Sequence, residues 1–508
     1  MQTLPARPRI APGPSRHVYD VVLLGAELGG TLAATLLAKR GLRVLWAEHA
    51  QLSSGYEHEG FLFSTPPFLV PPFRMWPAVE NVFTELGLTT GFQRQLRPTG
   101  PLQIVLPRHR LDLPADPHRR LAELQREFGQ GGGQLAETLA ALTAAPDTSD
   151  PFFRFLDDFP AGTWMERFRL RRRAARVEGM TRPHPFSPNE PVEALLVGIL
   201  PLLVQQDSPG PLAATRVLGQ LLRGPLRLPG GREGLREVLS RRFSELGGTL
   251  LPQEGLTGPV VEAVEFEGPQ VTVHVRGAEA VYRAQWLLGA MEPPLLARLM
   301  PDEGLGRKIS AFLGQLVPRR LVLTVHWVLP EHVLPRGMGE LVAMDGGPAG
   351  PIWIQVHSAR RAGARGEEES LRTLTASALV DAGVREAGEA GLRLAASALE
   401  RALEGLLPFA LQHRLARSLP LTDSPGARAG AGPQLLYPEA DGAATGLEGL
   451  GIRTPGKHVL FVGREAVTGL GLEGELLAGA RAAALIHESV RKRDPLKRRR
   501  GRGLGGLR

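Results

Sequence analysis

The segment Gly25-Ala-Glu-Leu-Gly-Gly30 is where residue types and spacing bear most directly on chemistry. It follows VYDVVLL, a short apolar run of the kind that forms a buried parallel strand. It precedes TLAATLLAKR, a helical stretch closed by Gly41. In a turn that cradles a dinucleotide, the first Gly makes the sharp exit from the strand. The second lets backbone approach the pyrophosphate, and the third lets the helix pack on the strand. Gly25 and Gly30 fill the first and third positions, with Gly29 alongside. Glu27 occupies the second, next to Leu28, and would bring a carboxylate close to a doubly charged pyrophosphate. Glu48 closes the second apolar run, RVLWA, where an acid would bind ribose hydroxyls.

A second glycine-rich turn lies near the other end. LFVGREAVTGLGLEGELL reads as strand, loop and helix, with Gly463, Arg464, Gly469, Leu470 and Gly471 in the loop. The helix begins near Leu472 and carries Glu473 and Glu475 in its first turn. Other chemistry is sparse. The chain has no Cys, which excludes disulfides, thiolate metal sites and a thiol nucleophile. Its 13 His residues show no HExxH-like spacing, and Glu57-His58-Glu59 reads as a polar surface turn. No nucleophile elbow and no phosphate-binding P-loop motif is present.

The elements that must hold these turns follow from the rest of the chain. Its 508 residues suit about three domains, or two large ones. Nine of the 60 Lys and Arg and one of the 52 Asp and Glu fall at 491–508, which leaves 51 of each sign in the body. A folded nucleic-acid binder would carry a basic face on the body itself. The tail therefore reads as a solvated end able to touch anionic lipid or nucleic acid. The N-terminus lacks the apolar core of a secretory signal, and no run is long enough to span a bilayer. The expectation is a cytoplasmic protein with the capacity for peripheral membrane contact. Leu195 to Val204 reads as a core helix before a tunnel lining, and Trp286 and Trp327 read as core.

Four blocks in order resemble the FAD-dependent amine oxidase and phytoene (carotenoid) desaturase superfamily. They are the first strand–helix–strand unit, GFLFSTPP (Gly60 to Pro67), LPGGREGLREVLSRRFSELGGTL (Leu228 to Leu250) and the closing glycine-rich segment. The resemblance implies an α/β fold: a discontinuous Rossmann-type FAD-binding domain with an inserted α+β substrate domain. It implies that Gly25, Gly29 and Gly30 face the FAD pyrophosphate, Glu48 binds ribose, and Leu256 contacts adenine. Gly463, Gly469 and Gly471 would pass along the ribityl chain and flavin. The chain departs from the family pattern at Glu27, at Arg464 where Asp is usual, and at Ser64. Glu27 and Arg464 have opposite charge and line the same slot, so they are expected to pair.

The implied activity is a desaturase- or isomerase-like hydride transfer from an apolar, polyene or isoprenoid-type small molecule to FAD. The alternative is a flavin-free relative that serves as a lipid-binding or protein-interaction scaffold. The expected partition is an arm at 1–17, FAD-domain pieces at 18–115, 224–300 and 426–488, a helical cap at 116–223, a substrate sheet and helix at 301–425, and a tail at 489–508.

Overall fold

A computed structural model describes residues 17–47, 55–64, 68–72, 75–153, 159–177, 180, 187, 189–251, 261–275, 281–364, 367–423, 434–439 and 445–493. Glu48, Leu256, the arm before residue 17 and the tail beyond residue 493 lie outside them.

The first apolar run forms β1 (His17–Gly25), followed by α1 (Leu28–Lys39) and β2 (Val44–Ala47). β1 lies parallel to both β2 and the strand Val281–Ala290, with Val21 opposite Val44 on one side and Trp286 on the other. A parallel sheet covered on both faces needs uninterrupted apolar strands, and VVLL and VLWA are fully buried. The strand Thr249–Leu251 extends this seven-stranded sheet beyond β2. On the far side, Val281–Ala290 has two partners in succession. Its first half pairs antiparallel with Gln270–Val275, and its second half pairs parallel with Val459–Phe461. The two glycine-rich turns therefore leave the strands that flank Val281–Ala290 at the same sheet end.

The second sheet has eight strands, centred on Arg320–Pro330, Glu367–Asp381 and Pro351–Arg360. The helix Pro191–Val204 packs on it, and Leu195 to Val204 belong to its core, as expected. Trp286 and Trp327 are buried in the two cores.

Two expected domain boundaries need correction. The hairpin Leu102–Val105 and Arg110–Leu113 joins the second sheet through parallel pairing with Leu341–Asp345. The short strand Gln434–Leu436 pairs with Arg320–Val322, so it too leaves the dinucleotide-type domain. Strand partners more than a hundred residues apart are not encoded in local pattern, which explains both. The glycine-rich stretch GQGGGQ runs into the helix Gly131–Phe153, whose burial on the cap core outweighs its glycines. The polar stretch at 359–370 is partly strand, because strands extend through Arg360 and from Glu367.

Candidate functional site: a closed dinucleotide slot

Gly25 leaves β1 with φ +97°, and a Cβ there would lie 2.1 Å from the Ala290 carbonyl oxygen, so only glycine fits the turn. The Trp46 indole donates to the Gly25 carbonyl at 2.7 Å and ties the turn to β2. Glu27 then caps α1 in extended backbone, but its carboxylate does not bond the helix's own amides. Instead it turns toward Arg464, whose Nη2 donates to Oε1 at 2.8 Å. The expected pairing across the slot is present.

Two residues complete the arrangement. Arg232, near the start of the helix Gly231–Glu245, donates from Nη2 to Glu27 Oε2 at 3.2 Å and to Glu475 Oε2 at 2.6 Å. The other oxygen of Glu475 accepts from the Leu28 N–H at 2.6 Å and, more loosely, the Gly29 N–H at 3.4 Å. Those are the first-turn amides of α1, which the resemblance assigns to the pyrophosphate. In this chain a carboxylate from the closing helix Leu472–Arg493 lies on them.

Electrostatics separates the two acids. Burial pushes Glu27 toward its neutral form, against the pull of Arg464. Burial opposes ionised Glu475 as well, but Arg232 and Arg464 outweigh it and hold Glu475 below the usual carboxylate range. Glu475 is therefore the anion on the amides. Burial also opposes the Arg464 charge, and Glu27 outweighs it, so the guanidinium stays cationic. Glu465, beside it, is pushed up to about 8 by burial, and its Oε2 has no hydrogen-bond partner among the described residues.

The glycines of the closing segment are also packed rather than open. Gly463 faces the Phe461 ring and Glu465, Gly469 faces Leu447 and Gln206, and Gly471, at φ +56°, faces the Leu203 carbonyl. Gly30 packs on Ala290 and Leu23, the helix–strand role expected of a third glycine. Gly29 meets the Glu475 backbone, and Gly479 in turn meets Gly29, so α1 and the closing helix touch backbone to backbone. Leu470 borders a cavity of about 60 Å³ with Arg232 and Glu473. Glu473 itself is held by Arg216 at 3.0 and 2.8 Å and by Gln220 at 3.2 Å. Arg216 lies over the Phe153 ring, 4.1 Å from its centroid, and also reaches Asp150 at 2.9 Å. The closing helix thus turns two carboxylates inward, each held by an arginine from another element.

The residues present do not fit a bound FAD pyrophosphate. Its amide donors are taken, Glu27 stands at the approach, and the closing helix presses on Gly29. A Cβ at Gly25, Gly29, Gly30, Gly463, Gly469 or Gly471 would run into protein atoms, so none of these positions has room for a side chain. Sequence reasoning placed Glu475 in the right turn but gave it no partner, and it missed Arg232.

A larger cavity of about 340 Å³ lies between the hairpin Gly55–Ser64, the start of the Gly231–Glu245 helix and the second sheet. Tyr56, Phe63, Phe68, Leu228, Leu341 and Val356 give it an apolar wall. Gln355 exchanges two 3.1 Å hydrogen bonds with the Phe68 backbone and fixes the rim. Arg360 lines the cavity, and among the described residues no carboxylate pairs with it. His58, in the same hairpin, lies 3.8 Å from Asp423, and no group of three metal-ligating side chains occurs among the described residues. No helix of the described residues is long and apolar enough to cross a membrane.

The same two-sheet architecture occurs in solved amine oxidases. The chain is similar in structure to cyclohexylamine oxidase from Brevibacterium oxydans, at 17% identity and TM-score 0.56, over 93% of this chain and 99% of that one. It is similar to a putrescine oxidase bound to putrescine, at 18% identity and TM-score 0.54, with the same coverage. It is also similar to an oxidoreductase from Methanosarcina mazei, at 13% identity and TM-score 0.54, over 91% and 99% of the two chains. No protein-family model matches the chain, and no curated protein matches it. The shared property is the fold.

Proposed function

We propose that this chain uses the amine oxidase-type fold without its dinucleotide, as a scaffold that binds a small apolar molecule in the cavity beside the Gly55–Ser64 hairpin. The observation that carries this reading is the Glu475 carboxylate on the Leu28 and Gly29 amides. A diphosphate there would have to displace that carboxylate and approach a second one. Two like charges about 4 Å apart at an effective dielectric of 20 repel by about 4 kcal/mol, roughly a thousandfold in affinity. The size and apolar wall of the larger cavity suit a small ligand.

The competing reading is flavin-dependent hydride transfer from a polyene or isoprenoid-type substrate. The fold and the glycine pattern favour it. It requires Glu475 to leave the amides and the closing helix to move off Gly29.

Calorimetric titration with FAD separates the two. The wild-type chain should show no binding at micromolar concentration. Glu475→Ala combined with Glu27→Gly should gain binding, because the amides are freed and the repulsion removed. Micromolar FAD binding by the wild-type chain would overturn the proposal. Organic extraction of the purified protein followed by mass spectrometry should recover an apolar small molecule, and Leu341→Trp, which fills the cavity, should lose it. Equal recovery from both would remove the cavity from the account.

A further inference from the structure

The helix Trp164–Ala174 presents a cluster of exposed large apolar side chains. Trp164 is 77% exposed, Met165 56% and Phe168 50%, which puts three large apolar side chains on consecutive turns facing solvent. The Trp164 and Phe168 rings stack at 6.2 Å, and the Arg172 guanidinium lies over Phe168 at 5.7 Å. Around them the sequence from 163 to 177 carries six Arg and one acid, Glu166. Arg167, Arg171, Arg172 and Arg176 are exposed.

The single acid points inward. Glu166 closes a capping box with Thr163, and its other oxygen accepts from Arg453 at 3.1 Å and Arg481 at 2.9 Å. With Leu170 it pins the helix to the body, so the outward face carries only positive charge. An exposed apolar cluster of this kind marks an interaction site. Trp is the side chain that prefers the membrane–water interface, and arginines beside it attract anionic headgroups.

We infer that this helix docks the protein on the surface of an anionic membrane, with Trp164 and Phe168 entering the headgroup region and the arginines binding lipid phosphates. A nucleic-acid surface would use the arginines but gives no reason for three exposed apolar side chains clustered with them. The helix is too short and too charged to span the bilayer.

The protein carries its own probe. Of its six tryptophans, Trp46, Trp76, Trp286, Trp327 and Trp353 are buried and Trp164 is exposed. The full chain would be mixed with phosphatidylcholine vesicles, or with vesicles that also contain phosphatidylglycerol, bearing brominated acyl chains. Tryptophan emission should shift to the blue and be quenched on the anionic vesicles, and salt should reverse this. Trp164→Ala should remove the quenching, and Arg171→Glu with Arg172→Glu should weaken vesicle binding by more than about tenfold. These replacements lie on an exposed face, so the urea unfolding midpoint should not move. The inference would be overturned by no quenching on anionic vesicles, by unchanged binding in the charge-reversed variant, or by binding to an oligonucleotide but not to vesicles. Deleting residues 494–508 controls for the basic tail, and complete loss of vesicle binding on that deletion would assign the contact to the tail and refute the helix.

Discussion

Each charge in the slot depends on a partner from another element. Glu27 and Glu475 share Arg232, and Glu27 also takes Arg464. Removing one member of a buried pair leaves the other uncompensated, which costs about 3–5 kcal/mol. Arg464→Met should therefore lower unfolding free energy in urea by about that amount, and adding Glu27→Gln should recover most of it. An Arg464→Met variant as stable as wild type would show that the ion pair contributes nothing. Glu465 gives a pH signature. Burial raises its folded pKa from 4.5 to about 8, so between those values the folded state holds a proton that the unfolded chain has lost. Stability from this group is full below pH 4.5 and is lost as pH rises toward 8. Glu465→Gln should flatten that decline, and an unchanged pH–stability profile would contradict the assignment. The glycines and the Glu27–Arg464 pair were legible in the sequence because they sit in recognisable turns. Arg232 was not, because it stands 205 residues from Glu27 and 243 from Glu475, and no local pattern carries that proximity.

Two helices close the slot by touching. A Cβ on Gly479 would come within 2.1 Å of the Gly29 carbonyl oxygen, and one on Gly29 within 2.6 Å of the Glu475 carbonyl. Neither backbone can yield without separating α1 from the closing helix. Gly479→Ala should destabilise the fold by about 1–3 kcal/mol, the usual range for overpacking, and should lengthen the Glu475 contact to Leu28. A variant with wild-type melting behaviour would mean that the helices have room to part, and with it room for a diphosphate. At this scale the sequence showed the strand–helix–strand unit and the closing helix through their apolar periodicity. It hid the hairpin at 102–113, whose strand composition is clear but whose partner sheet is chosen by tertiary packing.

For the whole molecule, charge and core tell one story. The body is balanced at 51 residues of each sign, and the excess lies in the last 18 positions. The large cores draw on residues between Val21 and Ile486, so removing 494–508 should leave the melting temperature unchanged. A large drop would give the tail a structural role. The fold supplies two sheets with a cavity of about 340 Å³ beside their junction, while the slot between the two glycine-rich turns carries four ionisable side chains held to one another. On this account the chain's own Glu475 does for α1 what a cofactor phosphate would do: it satisfies two buried amides and anchors the last helix on the first. The fold is then complete without a ligand in the slot. The visible absorption spectrum of the protein as purified, with added FAD removed by gel filtration, tests this most directly. The account predicts a colourless protein with no flavin bands before or after exposure to FAD, whereas a yellow protein that releases stoichiometric FAD on heating would contradict it.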